Sequence, residues 1–328
     1  MNSSQVDKYG FICENPPKIS AKEAQKEQVQ VQEWNFIMKN WTQQLALRFE
    51  QIKSRIRKGI PNSIRGQLWY LISGAEIFKS NYPENYYQTL LTIDVNTEVE
   101  NDISADIGRT FPNHTKFQTK KGRRSLSRIL KAYSLLDREV GYTQGMAFIA
   151  ASFLIHLNEE DSFWLFASVM TQYNFRECFI LKMPKVEESF YIANGLMRHY
   201  LSGLWNYFKN VEINVSMFAT QWFMTGYNVS FKYETAARVW DCFLFEGEKV
   251  FFRVFLGVLK LHRKSLNGQS FENAMEVIRG IGNRTETELL LKTAFKFSLS
   301  KKLIERLRSD YKNNPKPKYL IGINRKSR

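Results

Sequence analysis

Two short runs of the chain hold the side chains best suited to chemistry. The first is Ile103-x-x-Asp106-x-x-Arg109-Thr110-Phe111-Pro112-x-His114, and the second is Gly141-Tyr142-Thr143-Gln144-Gly145-Met146. An arginine brings a permanent charge on a planar fork of donors, a geometry that the point charge of lysine does not reproduce. A glutamine carries an acceptor and a donor on one rigid amide, so it can accept from a water molecule while donating to phosphate or backbone. Taken singly, each has an ordinary explanation. An arginine three residues after an aspartate on a helix is a surface ion pair worth little, and Y-x-Q-G is a helix start or a turn.

Other chemistries find no support. There is no G-x-x-x-x-G-K-[ST] phosphate loop, and the pair Gly280 and Gly282 lacks the third glycine and the preceding strand of a dinucleotide site. His114, His156, His199 and His262 are scattered without ligand spacing, so no metal site is expected. No G-x-S-x-G elbow or other local nucleophile signature occurs. Cys13, Cys178 and Cys242 are far apart, which argues against disulfides and a cysteine zinc site and suits a reducing compartment. The polar opening Asn2 to Gln5, followed by Asp7, predicts no secretory leader.

The elements that must carry these residues read as helices. Leu126, Ile129, Leu130, Tyr133 and Leu136 make one 3.6-residue stripe, and Val250, Val254 and Val258 beside Phe251, Phe255 and Leu259 make another. Gly247 is placed to end the helix carrying Val239, Trp240, Phe243 and Leu244. Met146 to Leu157 is too short to span a bilayer and reads as a buried helix. Near the N-terminus, Trp34, Ile37, Met38 and Trp41 form a stripe that leans on the body, with Phe36 off it. The fold class is all-α. Three parts are expected: an N-terminal helical brace over 1–54, a main domain over 55–310, and a basic tail over 311–328 in which Pro315 and Pro317 stop any helix. The net charge of +15 suits an acidic partner, whether nucleic acid, anionic lipid or acidic protein. Much of the excess lies in Lys116 to Lys131 and in the tail from Lys312.

Two further segments join the first two. Arg57-Lys-Gly-Ile-Pro61 with Arg65-Gly66-x-x-Trp69 precedes them, and Phe218-Ala-Thr-Gln-Trp222-Phe with Arg238-Val-Trp240-Asp241-x-Phe-Leu-x-Glu246-Gly247 follows. In this order and spacing the four resemble the TBC domain of Rab GTPase-activating proteins, over roughly Arg57 to Leu259. Weaker similarity at Asp7-x-Tyr9-Gly10-Phe11 extends the resemblance toward the N-terminus. Two departures are visible: the basic run Lys120 to Arg124 occupies a linker that is often glycine-rich, and Cys242 stands where an apolar residue is usual.

The resemblance implies a TBC-type multi-helix domain in which Arg109 is an arginine finger and Gln144 a glutamine finger. Both would be supplied in trans to a Rab-family GTPase in its GTP form. Phosphoryl transfer there needs charge stabilised and a water held in line, and a finger arginine is worth about 10³ to 10⁵ in rate. The chain would complete a partner's active site rather than act as a stand-alone hydrolase, and it would need no cofactor, since the GTPase carries GTP and Mg²⁺. Asp106 is expected to hold the Arg109 guanidinium, and Thr110, Phe111 and Pro112 to end the helix and aim it. Tyr142, Thr143 and Gly145 complete the supporting set, with Tyr142 and Gly145 letting the backbone approach the GTPase. Arg65, Trp69, Arg238, Trp240 and Asp241 read as buried scaffold. The alternative is a catalytically weak TBC scaffold in membrane trafficking. Nucleic-acid binding rests on charge alone and lacks a reader motif. A cytoplasmic protein with peripheral visits to anionic endomembranes or plasma membrane is the expected setting.

Overall fold

Helix follows helix from Ala21 to Asn313 in the computed structural model, which describes residues 5–15 and 20–313. Among the described residues there are twenty α-helices, one 3₁₀ turn and no strand; two isolated bridges, Val6 with Ile12 and Phe11 with His114, are the nearest thing to a sheet. The class is all-α, as the periodicity indicated. Tail residues 314–328, with Pro315 and Pro317, lie outside the described residues.

Local chemistry explains where helices start and stop. Ser20 and Glu23 form a capping box at the head of Ala21–Lys39. Asn96, Thr119 and Asn158 each accept an N–H from the first turn of the helix that follows. Gly247, at φ +79°, ends the helix Tyr233–Glu246 as expected. The stripe from Trp34 to Trp41 is not one helix. Asn40 leaves helical geometry and its side-chain amide donates to the Phe36 carbonyl at 3.0 Å, separating Ala21–Lys39 from Trp41–Lys58. Trp34 and Ile37 are buried and Phe36 is exposed, whereas Trp41 opens the next helix and meets Phe245 edge-on.

The core is built on helices that bury most of their surface. Met146–His156 is apolar all round and lies in the middle of the molecule, against Thr97–Arg109, Lys120–Leu136 and Glu159–Gln172. Val250, Val254, Val258, Phe255 and Leu259 are buried on Lys249–Leu261. The scaffold residues meet around Asp241, which is wholly buried. Its Oδ1 accepts from Trp69 Nε1 at 2.8 Å and Arg65 Nε at 3.0 Å, and its Oδ2 accepts from the Ile60 N–H at 3.4 Å. Arg238 donates to the Arg57 carbonyl at 2.7 Å, and Trp240 Nε1 to Gly226 at 3.0 Å. Each charged side chain and indole in this group therefore has at least one hydrogen-bond partner, which limits the cost of burying it, although Arg238 Nε makes no hydrogen bond and lies 3.7 Å from Asp241 Oδ2. No helix among the described residues is long and apolar enough to cross a membrane.

Candidate functional site

The first candidate run ends a helix. Thr97–Arg109 stops because Thr110 is extended (φ −85°, ψ 111°) and buried, and its hydroxyl donates back to the Asp106 carbonyl at 2.7 Å. Proline 112 was expected to stop the helix by favouring extended backbone before it. Phe111 instead takes φ +44°, in the left-handed region, which costs a residue with a Cβ roughly 1–2 kcal/mol. Its buried ring is caged by Phe11 at 5.6 Å, Phe148 at 5.5 Å and Tyr233 at 5.5 Å, all edge-to-face. The sharp turn leaves Arg109 as the last helical residue, with 52% of its side chain exposed, while that of Asp106 is only 4% exposed. One carboxylate oxygen of Asp106 accepts from Arg109 Nη2.

The other oxygen of Asp106 reaches the second run. Tyr142 Oη donates to Oδ2 at 2.5 Å, and the Gly145 N–H lies 3.3 Å from the same atom. Burial and the bond to Asp106 push the Tyr142 phenol well above its usual range, so it remains a donor. The Tyr142 side chain is thus a tie to Asp106, a contact between segments that the sequence did not mark. Gly145, at φ +103°, sits in a conformation that a side chain would strain, and Gln144 beside it is exposed. Thr143 is half-buried and donates to the Phe179 carbonyl at 3.4 Å. Upstream, Arg176 grips Asp137 through two bonds of 2.8 and 3.0 Å, anchoring the loop 137–145. Burial alone would raise the Asp137 carboxyl, but Arg176 outweighs it and holds the group below the usual carboxylate range. Nothing in the sequence marked Arg176, because its partner is 39 residues away.

Of the nine candidates, Arg109, Pro112 and Gln144 are exposed, and Asp106, Thr110, Phe111 and Gly145 are buried beneath them. One buried carboxylate thus holds the exposed arginine with one oxygen and brackets the exposed glutamine with the other. Such a surface offers a charged donor fork together with a donor-acceptor amide, the two functions that in-line phosphoryl transfer requires.

The basic run between them is not a linker. Lys120, Lys121, Arg123 and Arg124 are exposed over the first turn and a half of Lys120–Leu136, an end where the helix dipole disfavours cations. None of the four has an ion pair among the described residues. Three cations counted with them are engaged elsewhere. Lys116 donates to the Leu154 and Leu157 carbonyls at the end of the central helix, Arg128 pairs with Glu159 at 2.6 Å, and Lys131 pairs with Glu100.

Comparison with known proteins shows the family to which the chain belongs. The Rab-GTPase-TBC domain family model matches residues 62–267. The Drosophila melanogaster protein "TBC1 domain family member whacked" is 34% identical over 252 residues, 76% of this chain and 69% of that one. "Rab GTPase-activating protein tbc-11" of Caenorhabditis elegans is 32% identical over 286 residues, 85% of this chain; the chain spans only 30% of that relative's length. The solved structure of the Chlamydomonas flagellar RabGAP TBC domain superposes with a TM-score of 0.69 at 28% identity, covering 89% of this chain and 99% of that one. The chain belongs to the Rab-GTPase-TBC domain family.

Proposed function

We propose that this protein is a GTPase-activating protein for a Rab-family GTPase, supplying Arg109 and Gln144 in trans to the GTP-bound partner. The observation that carries the reading is the shared carboxylate: Asp106 bonds Arg109 on one side and Tyr142 and Gly145, which bracket Gln144, on the other. Two segments 35 residues apart are thereby held in register with both functional side chains facing solvent. Arg109 would neutralise charge developing on the transferred phosphoryl group, and Gln144 would orient the attacking water; GTP and Mg²⁺ come with the partner. Preorganisation matters because a donor already aimed at the transition-state position needs no rearrangement during the reaction. The curated relatives named as Rab GTPase-activating proteins support the same partner class. The cations Lys120, Lys121, Arg123 and Arg124, without ion pairs among the described residues, flank the docking face and attract an acidic GTPase or anionic membrane.

The test is single-turnover phosphate release from a panel of GTP-loaded Rab proteins, with Arg109→Ala and Gln144→Ala run beside the wild type. Acceleration of one or a few Rabs by about 10³ or more, lost in both folded variants, is the expected result. A folded protein that binds a Rab but accelerates none of the panel would establish a scaffold instead.

A further inference from the structure

We propose that the N-terminal segment Asp7–Ile12 is a clamp that positions the arginine finger, acting through Phe111; this rests on reading Arg109 as that finger. The segment is a built element. Asp7 Oδ1 accepts the N–H groups of Tyr9 at 2.8 Å and Phe11 at 3.0 Å, and the Asp7 carbonyl accepts that of Gly10 at 3.0 Å. It docks on the turn that follows Arg109. The Ile12 N–H donates to the Asn113 carbonyl at 2.9 Å, and the Gly10 carbonyl accepts from the Thr115 N–H at 3.0 Å and its hydroxyl at 3.1 Å. His114 Nδ1 accepts from the Lys116 N–H at 3.1 Å, so its proton sits on Nε2, which donates to the Tyr9 carbonyl at 2.8 Å. Gly10 stands at φ +94°, and a Cβ there would lie 2.9 Å from His114 Nε2, so the close approach uses the glycine.

The clamp closes over the strained residue. Phe11 meets Phe111 at 5.6 Å, His114 at 4.8 Å and Tyr233 at 5.1 Å, completing one side of the cage around the Phe111 ring. A left-handed backbone at a bulky residue persists only where its surroundings over-determine it. Phe111 is two residues beyond Arg109, so its positive φ continues the turn that extended Thr110 begins and fixes how the chain leaves the helix beneath the guanidinium. With Phe11 gone, the cage opens on one side, Phe111 relaxes, and the last helical turn frays under Arg109. Phe11 forms no hydrogen bond to Arg109, Asp106 or Gln144. Its loss therefore reaches the reaction through finger placement.

The experiment uses the full chain with a Rab that the wild type activates. Single-turnover hydrolysis is measured at saturating activator, and Kd is measured against the same Rab loaded with a non-hydrolysable GTP analogue. Phe11→Ala should lower the rate about ten- to a hundredfold, the scale of an ångström of misplacement, with Kd changed less than about twofold. In the Arg109→Ala background the same change should cost nothing further, because it acts through the missing group. An unchanged rate in folded Phe11→Ala overturns the clamp, and so does a parallel loss of binding or a further loss on top of Arg109→Ala. If Phe11→Ala does not fold, Ile12→Pro removes the bond to Asn113 from an exposed residue and restricts the backbone of Phe11 before it, loosening the same clamp, and is read by the same criteria. Full acceleration by Arg109→Ala itself overturns the finger reading, an outcome distinct from any failure of the clamp.

Discussion

Replacing Asp106 by asparagine separates aiming from folding. The carboxylate has two oxygens and three donors: Arg109 Nη2 on Oδ1, and Tyr142 Oη with the Gly145 N–H on Oδ2. An asparagine offers its oxygen to one side only and turns an amide NH₂ toward the other. If the oxygen stays with Tyr142 and Gly145, Arg109 loses its partner. At 52% side-chain exposure that arm costs only about 0–1 kcal/mol of stability. If it turns to Arg109, the buried Gly145 N–H is left facing a donor, at about 1–3 kcal/mol. The amide takes the cheaper of the two arrangements, so the stability cost is about 0–1 kcal/mol and Tm falls by at most about 2 °C in a chain of this size. The effect on rate should be larger in proportion, because one of the two functional groups loses its register in either case, and small misplacements cost about 10²-fold. Single-turnover phosphate release at saturating activator, well below the variant's Tm, measures it. The expected result is a ten- to hundredfold fall in rate, on the scale of that misplacement estimate, with Rab affinity little changed. A folded Asp106→Asn protein with wild-type rate, beside an inactive Arg109→Ala, would refute the claim that this carboxylate aims the fingers.

Asp241→Ala should behave oppositely: it strands Arg65 and the Trp69 indole in the core, costs about 3–5 kcal/mol in urea unfolding, and leaves the rate per folded molecule near wild type at low temperature. A variant with unchanged urea midpoint would contradict the buried-hub account. Neutralising Lys120, Lys121, Arg123 and Arg124 to glutamine should slow Rab association and flatten its dependence on salt, while the rate at saturation holds; identical association kinetics at low salt would remove the quartet from the docking face. The pH profile follows from two imidazoles, the buried His114 and the half-buried His156. Burial holds His114 below its usual range, and burial with the nearby Arg65 and Lys116 charges holds His156 well below it. Unfolded chains bind these protons first, so the stabilisation is complete above about pH 6.5 and is lost as pH falls from there toward the folded-state values. Urea midpoints measured between about pH 7.5 and 5 should decline, and a flat profile would mean that these imidazoles are not held neutral.

Much of this protein was legible in its residues alone. Apolar spacing marked the stripes on Lys120–Leu136 and Lys249–Leu261, and Gly247 marked a helix end, because these depend on side chains within one or two turns. The candidate fingers had ordinary explanations when taken singly, and it was the resemblance of four segments in order and spacing that nominated them. Other features needed the folded chain. Asp106 was expected to hold Arg109 three residues on, but its tie to Tyr142 and Gly145 spans 36 and 39 residues and exists only once two helices are packed. Phe111 adopts a backbone that its own type and the following proline both disfavour, and aromatic neighbours, three of them from distant segments and Phe117 from the next helix, supply what offsets the strain. Lys116 looked like one more surface cation until the end of the central helix placed carbonyls against it. Short-range periodicity and capping act between neighbours in sequence, so the sequence by itself determined the helices and nominated the two side chains. A carboxylate shared across 39 residues is decided by packing, so only the tertiary structure could say what holds those side chains in place.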